Sequence, residues 1–130
     1  MSNSKIQVIF LALIFGLISF AGCYYDNSIV NDNEEFSGDV SFNDDIMVIF
    51  NKDCNTSGCH NTGGIKPDLS PSSAYNSLIN GNYLNNGNPE ESELYQWMKG
   101  NKSIPMPVSG PNISYNAKIL AWIKQGSLNN

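Results

Sequence analysis

An apolar segment near the start of the chain limits what the remaining residues can form. Residues 6–21 are almost entirely apolar and run up to Gly22-Cys23, after a short polar start that carries Lys5. Sixteen residues are too few for comfortable membrane crossing, which takes about 20, and they match the apolar core of a secretory signal. Removing 22 of the 130 residues leaves 108, enough for one small domain with a tail but not for two domains.

The end of this segment, Ser19-Phe20-Ala21-Gly22-Cys23, resembles a bacterial lipobox, in which small residues precede a cysteine that is lipidated and becomes the new N-terminus. Phe20 stands where a leucine is usual. We therefore expect residues 1–22 to be a lipoprotein signal peptide and Cys23 to carry the lipid. The alternatives are an ordinary secretory signal cut near Ala21 and a single-pass anchor. In all three cases the rest of the chain lies outside the cytoplasm.

The charge of the chain excludes one class of partner. Seven lysines and no arginine stand against twelve carboxylates. Only Lys5 lies in the expected leader, so the mature chain has six lysines against twelve carboxylates and a formal charge of −6. Nucleic-acid binding requires the opposite sign and normally uses arginine, so we exclude it.

The mature chain divides into a tail and a domain. Residues 23–40 are polar and acidic without apolar periodicity, and we interpret them as a flexible tether. Residues 41–130 contain apolar residues at helical spacing and are predicted to form the domain. Helix-start and helix-stop residues predict four helices and no strand: residues 44–53 capped by Asn43 or Asp44, a helix from Ser70-Pro71 to Asn80-Gly81, one from Asn88-Pro89 to Gly100, and one from Asn112 or Ser114 to Gly126.

The feature with the most chemical content is a pair of cysteines followed by the single histidine of the chain. Cys54 and Cys59 are separated by four residues, and His60 follows directly. Two thiols and an adjacent imidazole can hold haem covalently: each cysteine adds to a vinyl group, and the histidine is thereby brought to one face of the iron. The usual spacing between the cysteines is two residues, but Gly58 gives this longer loop backbone freedom.

Three other interpretations of the same residues stay open. With Cys23 assigned to lipid, Cys54 and Cys59 form an even pair in an oxidising compartment, and a disulfide between them would stabilise the fold by about 2 kcal/mol. Zinc would need a further ligand such as Asp53. Thiol exchange chemistry normally uses a two-residue spacing.

A second axial ligand to a haem iron would have to come from another residue type, because the chain has one histidine. Methionine is the usual partner of histidine in electron-carrying haems. Met106 lies between Pro105 and Pro107, whose rings stiffen the backbone on both sides, and we expect it to be the distal ligand. Met98 is the reserve candidate. Core packing is the alternative role for either methionine.

From about Val40 to Leu128 the chain resembles a class I c-type cytochrome domain, more narrowly the small lipid-anchored monohaem cytochromes of Gram-negative bacteria. The resemblance rests on a helix leading into Cys54, Cys59 and His60, on the proline-flanked Met106, and on a closing helix that ends Ala121-Trp122-Ile123-Lys124-Gln125-Gly126. It implies an all-α, cytochrome c-like fold of about four short helices with long loops around one covalent haem c. It also implies that the first and last helices cross, with Ile46, Ile49 or Phe50 packed on Tyr115, Ile119 or Trp122.

These inferences give an expected function. We expect a monohaem one-electron carrier, anchored by lipid at Cys23 in the envelope of a Gram-negative bacterium and facing the periplasm or the surface. We expect a carrier and not an enzyme, although without ligation by Met106 the haem could sense gas or act as a weak peroxidase. The acidic surface favours redox partner proteins with a basic docking patch. The alternative is a disulfide-stapled lipoprotein that binds a partner or polysaccharide without haem, through aromatic residues such as Tyr24, Tyr25, Tyr83, Tyr95 and Trp97.

Overall fold

The computed structural model describes residues 35–130, so the expected leader, the expected lipidation site Cys23, Tyr24, Tyr25 and most of the expected tether lie outside the described residues. The described part contains helices and irregular segments without a β-strand. Its α-helices are α1 (Met47–Asp53), α2 (Ala74–Asn80), α3 (Glu93–Met98) and α4 (Ile113–Lys124). A π-helical segment (Phe42–Ile46) precedes α1, and a 3-10 turn (Pro89–Glu91) precedes α3. The predicted all-α class is confirmed for residues 35–130.

The first helical stretch begins earlier than predicted. Ser41 takes the cap position, and its hydroxyl accepts a hydrogen bond from the N–H of Asp44 at 3.2 Å. The predicted caps Asn43 and Asp44 lie inside the π-helical segment instead. Serine satisfies a free N–H at a helix start as well as Asp or Asn does, and Phe42, which follows Ser41, is buried. The helical stretch therefore begins at Phe42, the first side chain of this stretch that is buried in the core.

The second and third helices are shorter than the sequence predicts. The residues after Ser70 form a turn, and α2 starts only at Ala74. The third stretch is interrupted at Ser92, whose backbone is extended (ψ 131°). Ser92 is fully buried, and its hydroxyl accepts a hydrogen bond from the N–H of Asn85 at 2.9 Å. This contact with a preceding loop separates the 3-10 turn from α3.

The last helix agrees with the prediction. Asn112 caps α4, with its side-chain oxygen accepting from the N–H of Tyr115 at 3.0 Å. The helix ends at Lys124, and Gly126 follows with a positive φ of 97°. That conformation is common just after a helix and favours glycine.

The core forms where α4 packs against the π-helical segment that leads into α1. Phe42 and Trp122 lie with ring centres 5.3 Å apart, and both are buried. The first and last helical stretches therefore pack against each other, through Phe42, which lies before the predicted start of the first helix. The other core side chains come from all four helices and from the connecting loops, and the largest fully buried ones are Phe50, Ile46, Leu78, Ile119 and Ile123.

Two hydrogen-bonded contacts close the domain on itself. Val40, the last residue of the expected tether, is buried, and its N–H donates to the side chain of Gln125 at 3.0 Å. Asn130 accepts from the backbone N–H groups of Phe42 and Asn43, each at 3.0 Å. Both contacts join the start of the domain to the residues that follow α4.

Among residues 35–130, none of the helices combines the length and the apolar character needed to cross a bilayer.

Candidate functional site

A cavity of about 360 Å³ lies between the loop that follows α1 and the segment that connects α3 to α4. Its size falls within the range of about 300–1,000 Å³ typical of cofactor sites. The candidate residues Cys54, Cys59, His60 and Met106 all line it. The fold thus brings together two parts of the chain that are more than 40 residues apart. A second and more open depression is lined by residues of α4, including Leu120, and by Phe36 from the start of the described chain. None of the four candidate residues lines it.

The first wall of the cavity is the cysteine loop, which we define as residues 54–69. Cys54 is the C-cap residue that follows α1, and its carbonyl accepts a hydrogen bond from the N–H of His60 at 3.1 Å. This bond closes the loop, so Cys54 and His60 stay together although four residues separate the cysteines. The intervening residues 56–58 are exposed. The longer spacing is therefore accommodated as an outward turn, in which Gly58 has a positive φ of 82° that glycine adopts without strain.

The other backbone groups of the motif are also held. The carbonyl of Cys59 accepts from the N–H of Ile65 at 2.8 Å, and the carbonyl of His60 accepts from the N–H of Leu69 at 2.7 Å. Asn55 adds a side-chain hydrogen bond to the Leu69 carbonyl at 3.2 Å. Backbone groups that are paired within a loop fix its course, so the loop is a defined surface rather than a free connection.

The imidazole of His60 is oriented by two carbonyl groups of its own loop. Its Nδ1 lies 3.1 Å from the carbonyl oxygen of Ile65 and 3.1 Å from that of Pro67. Two acceptors at one ring nitrogen require that nitrogen to carry the hydrogen, so Nδ1 donates and Nε2 of the neutral ring keeps its lone pair. A backbone carbonyl on one ring nitrogen is the usual way in which a metal-binding histidine is held. His60 can therefore act as a ligand through Nε2.

Both cysteines have free thiols in this structure and are half-buried. Burial raises the pKa of the Cys54 thiol to about 12, with smaller contributions from the charges of Asp53 and Cys59. A thiol with so high a pKa remains protonated at neutral pH and is a poor nucleophile toward disulfides. Burial of the Cys54 thiol therefore argues against thiol exchange chemistry at this position.

The opposite wall carries two methionines. Met98, at the end of α3, is 3% exposed, whereas Met106 in the proline-rich segment is half-buried. Both line the cavity. The segment with Met106 is attached to α3 by an ion pair between Lys102 and Glu93, with the two charged atoms 2.9 Å apart. Met47, a further methionine on α1, is buried in the core and is not among the residues that line the cavity.

Glu93, Trp97 and Tyr83 are among the cavity residues that were not expected from the sequence as part of this site. Glu93 accepts a hydrogen bond from Nε1 of Trp97 at 2.8 Å, and Lys102 and Trp97 together lower the pKa of its carboxyl group. Tyr83 also lines the cavity. The sequence offers one signal for the first two, since Glu93 and Trp97 are four positions apart and therefore neighbours on a helix. Tyr83 and Trp97 were assigned to an aromatic surface in the alternative function, and Tyr95 of that set is buried.

Asp53, the residue considered as a zinc ligand, also lines the cavity. Its carboxylate accepts a hydrogen bond from the hydroxyl of Tyr115 at 2.7 Å. Across residues 35–130, no three or more His, Cys, Asp and Glu side chains are grouped in a way that could hold a metal ion.

Comparisons of the chain with protein families, with curated proteins and with solved structures find no match. The case for a function therefore depends on the residues of the cavity and on the sequence motifs that meet there.

Proposed function

We propose that residues 41–130 form a c-type cytochrome domain that carries single electrons. The observation that carries the proposal is the convergence of Cys54, Cys59, His60 and Met106 on one cavity in which the histidine has a free Nε2. In this proposal Cys54 and Cys59 hold haem c through thioether bonds, His60 is the proximal ligand, and Met106 is the distal ligand. Haem supplies one-electron redox chemistry when it is bound.

The residues of the cavity fit such a group in three respects. The lining is mainly apolar, including Phe50, Leu69 and Leu94, which suits the faces of a porphyrin. The ligands are a neutral imidazole and a thioether, which is the usual pair in electron-carrying cytochromes. The thiols are free and the cysteine loop is closed by its own hydrogen bonds. The four-residue spacing is therefore compatible with attachment at both cysteines.

The proposed domain is a carrier rather than a catalyst. If His60 and Met106 both bound the metal of such a group, no position would be left there for a substrate. If Met106 does not bind, the open position would permit gas sensing or weak peroxidase chemistry. In the main proposal, the chain itself holds the imidazole and supplies the sulfur ligands. The apolar walls of the cavity exclude water.

We also propose where the domain works and what it meets. The lipobox-like sequence before Cys23 supports a lipid anchor in the cell envelope of a Gram-negative bacterium, on the periplasmic or surface side. The formal charge of −6 on the mature chain supports redox partners with a basic patch. Binding to such partners should weaken as salt rises.

The test is expression of the full chain in a host with the cytochrome c maturation machinery, followed by removal of lipid and denaturation in pyridine. We expect a haem spectrum that stays with the polypeptide and a mass increase equal to one haem. The matched control is the double variant Cys54→Ser, Cys59→Ser, which should contain no covalent haem. Colourless wild-type protein with a Cys54–Cys59 disulfide, identified by mass spectrometry, would reject the proposal and favour the haem-free lipoprotein.

A further inference from the structure

The end of α1 is joined to α4 by a side-chain hydrogen bond at the edge of the cavity. The hydroxyl of Tyr115 donates to Oδ2 of Asp53 at 2.7 Å, across 62 positions of sequence. Asp53 is the last residue of α1, lines the cavity and directly precedes Cys54. The bond therefore fixes a carboxylate beside one of the two proposed attachment points of the haem.

Three charged residues line the cavity, and they differ in how their charge is offset. Glu93 is paired with Lys102 at 2.9 Å. Lys66 carries the opposite sign. Asp53 accepts from the neutral Tyr115 hydroxyl, and no lysine within the described residues lies within 4 Å of its carboxylate. Its negative charge is therefore not held in a direct ion pair, although, after Tyr115, it contributes to the raised pKa of the neighbouring Lys52 ammonium.

The charge of Asp53 acts on the cavity wall. It contributes to the raised pKa of the neighbouring Cys54 thiol, second to burial. A negative charge that disfavours thiolate at Cys54 also favours a positive charge at the same place. When haem iron is oxidised it gains one positive charge, so a carboxylate held near it stabilises the oxidised state.

We propose that Asp53 lowers the reduction potential of the bound haem and that Tyr115 is the positioning residue that keeps the Asp53 carboxylate at the cavity. This inference rests on the proposed function. Asp53 is exposed at the rim, so its carboxylate can turn toward water when the Tyr115 hydroxyl is absent. Lys52, whose ammonium lies 5.9 Å from the centre of the Tyr115 ring, is exposed, and both Tyr115 and Asp53 contribute to its raised pKa.

The experiment is a double-mutant cycle on the haem-loaded full chain, with the reduction potential as the readout. Asp53→Asn removes the charge and should raise the potential. Tyr115→Phe should raise it by a smaller amount. In the Asp53→Asn background, Tyr115→Phe should add no further shift, because the hydroxyl acts through the carboxylate. Tyr75→Phe is the matched control: its hydroxyl donates to the Ser127 carbonyl at 3.1 Å, and Tyr75 is not among the residues that line the cavity.

The dependence of the potential shift on ionic strength is a second readout. A shift caused by a purely structural role would not vary with salt. The Debye length falls from about 30 Å at 0.01 M to about 3 Å at 1 M ionic strength, so the shift caused by Asp53→Asn should shrink as salt rises. An unchanged or lowered potential in Asp53→Asn overturns the inference, as does a Tyr115→Phe shift that persists without the carboxylate. Wild-type protein without haem overturns this inference and the proposed function together, whereas haem-loaded protein with unshifted variants overturns the inference alone.

Discussion

The backbone N–H of Met106 donates a hydrogen bond to the carbonyl of Trp97, with the nitrogen and oxygen 3.2 Å apart. The bond joins the proline-rich segment to the end of α3, so Met106 and Met98 border the same cavity from adjacent positions. Both methionines thus belong to one wall of the cavity, and alanine variants of the two residues distinguish the proposed ligand Met106 from Met98.

We expect Met106→Ala to change the absorption spectrum and Met98→Ala to change the free energy of unfolding. Met106→Ala should abolish the sulfur-to-iron charge-transfer band of the oxidised protein, because the proposed distal ligand is lost. Met98→Ala should keep the band but lower the free energy of unfolding by about 2–5 kcal/mol, since a methionine that is 3% exposed leaves a void. Absorption spectra and urea denaturation of both variants check this. Loss of the band in Met98→Ala alone would make Met98 the ligand.

The thiol of Cys54 should react slowly with alkylating agents before haem is attached. A pKa of about 12, against an ordinary value of 9.0, lowers the thiolate fraction at pH 8 by about a thousandfold. The measurement is the rate of alkylation of the haem-free Cys23→Ser, Cys59→Ser variant, in which Cys54 is the remaining thiol. The same variant unfolded in urea is the control and should react at the ordinary rate. Equal rates in the two states would show that Cys54 is not buried in the haem-free chain.

The ion pair between Asp45 and Lys118 should make stability depend on acid pH. The two charged atoms are 2.7 Å apart, and the hydrogen bond from Lys118 lowers the pKa of the Asp45 carboxyl below its ordinary value of 3.8. A lowered pKa contributes stability above pH 3.8 that is lost as pH falls through the lower, folded value.

Asp45→Asn should therefore unfold more easily than the wild type at pH 7, by about 1 kcal/mol or less. The difference should shrink once the carboxyl is protonated. Urea denaturation at pH 7 and at pH 3 measures this difference in the free energy of unfolding. The control is Asp39→Asn, at an exposed carboxylate. A difference that is as large at pH 3 as at pH 7 would argue against the ion pair as its source.

Trp122 should be among the most costly residues to truncate. Its ring is fully buried against Phe42, and its Nε1 donates to the Leu128 carbonyl at 2.9 Å. Trp122→Ala removes this volume and leaves a carbonyl unpaired, so we expect a loss of about 3–5 kcal/mol in the free energy of unfolding. Val48→Ala, at a side chain that is 58% exposed, should cost less than about 0.5 kcal/mol. Similar urea midpoints for the two variants would contradict this assignment of the core.

The sequence predicted a helix boundary correctly where the capping residue and its partner are close in sequence. Asn112 caps α4 through a hydrogen bond to a residue three positions later, which a reading of the sequence detects. The break at Ser92 depends on a contact with Asn85 in a preceding loop, and the early start at Ser41 depends on the burial of Phe42. These are tertiary effects, which spacing and cap residues do not contain.

The candidate site divides in the same way. Cys54, Cys59 and His60 could be singled out because they are adjacent in sequence, and Met106 because two prolines flank it. Asp53 and Tyr115 could not be joined from the sequence, since 62 positions separate them. The placement of Tyr83 in the cavity likewise follows from the packing of loops that carry no sequence signal.

The orientation of the His60 ring has a consequence for how such a site can arise. Both acceptors of its Nδ1 hydrogen lie five and seven positions further along the same loop, so the direction of Nε2 is encoded within one short contiguous peptide. Met106 instead owes its place to α3 and the Lys102–Glu93 pair. The orientation of the imidazole is therefore set locally, within residues 60–67, whereas the position of Met106 depends on a separate helix.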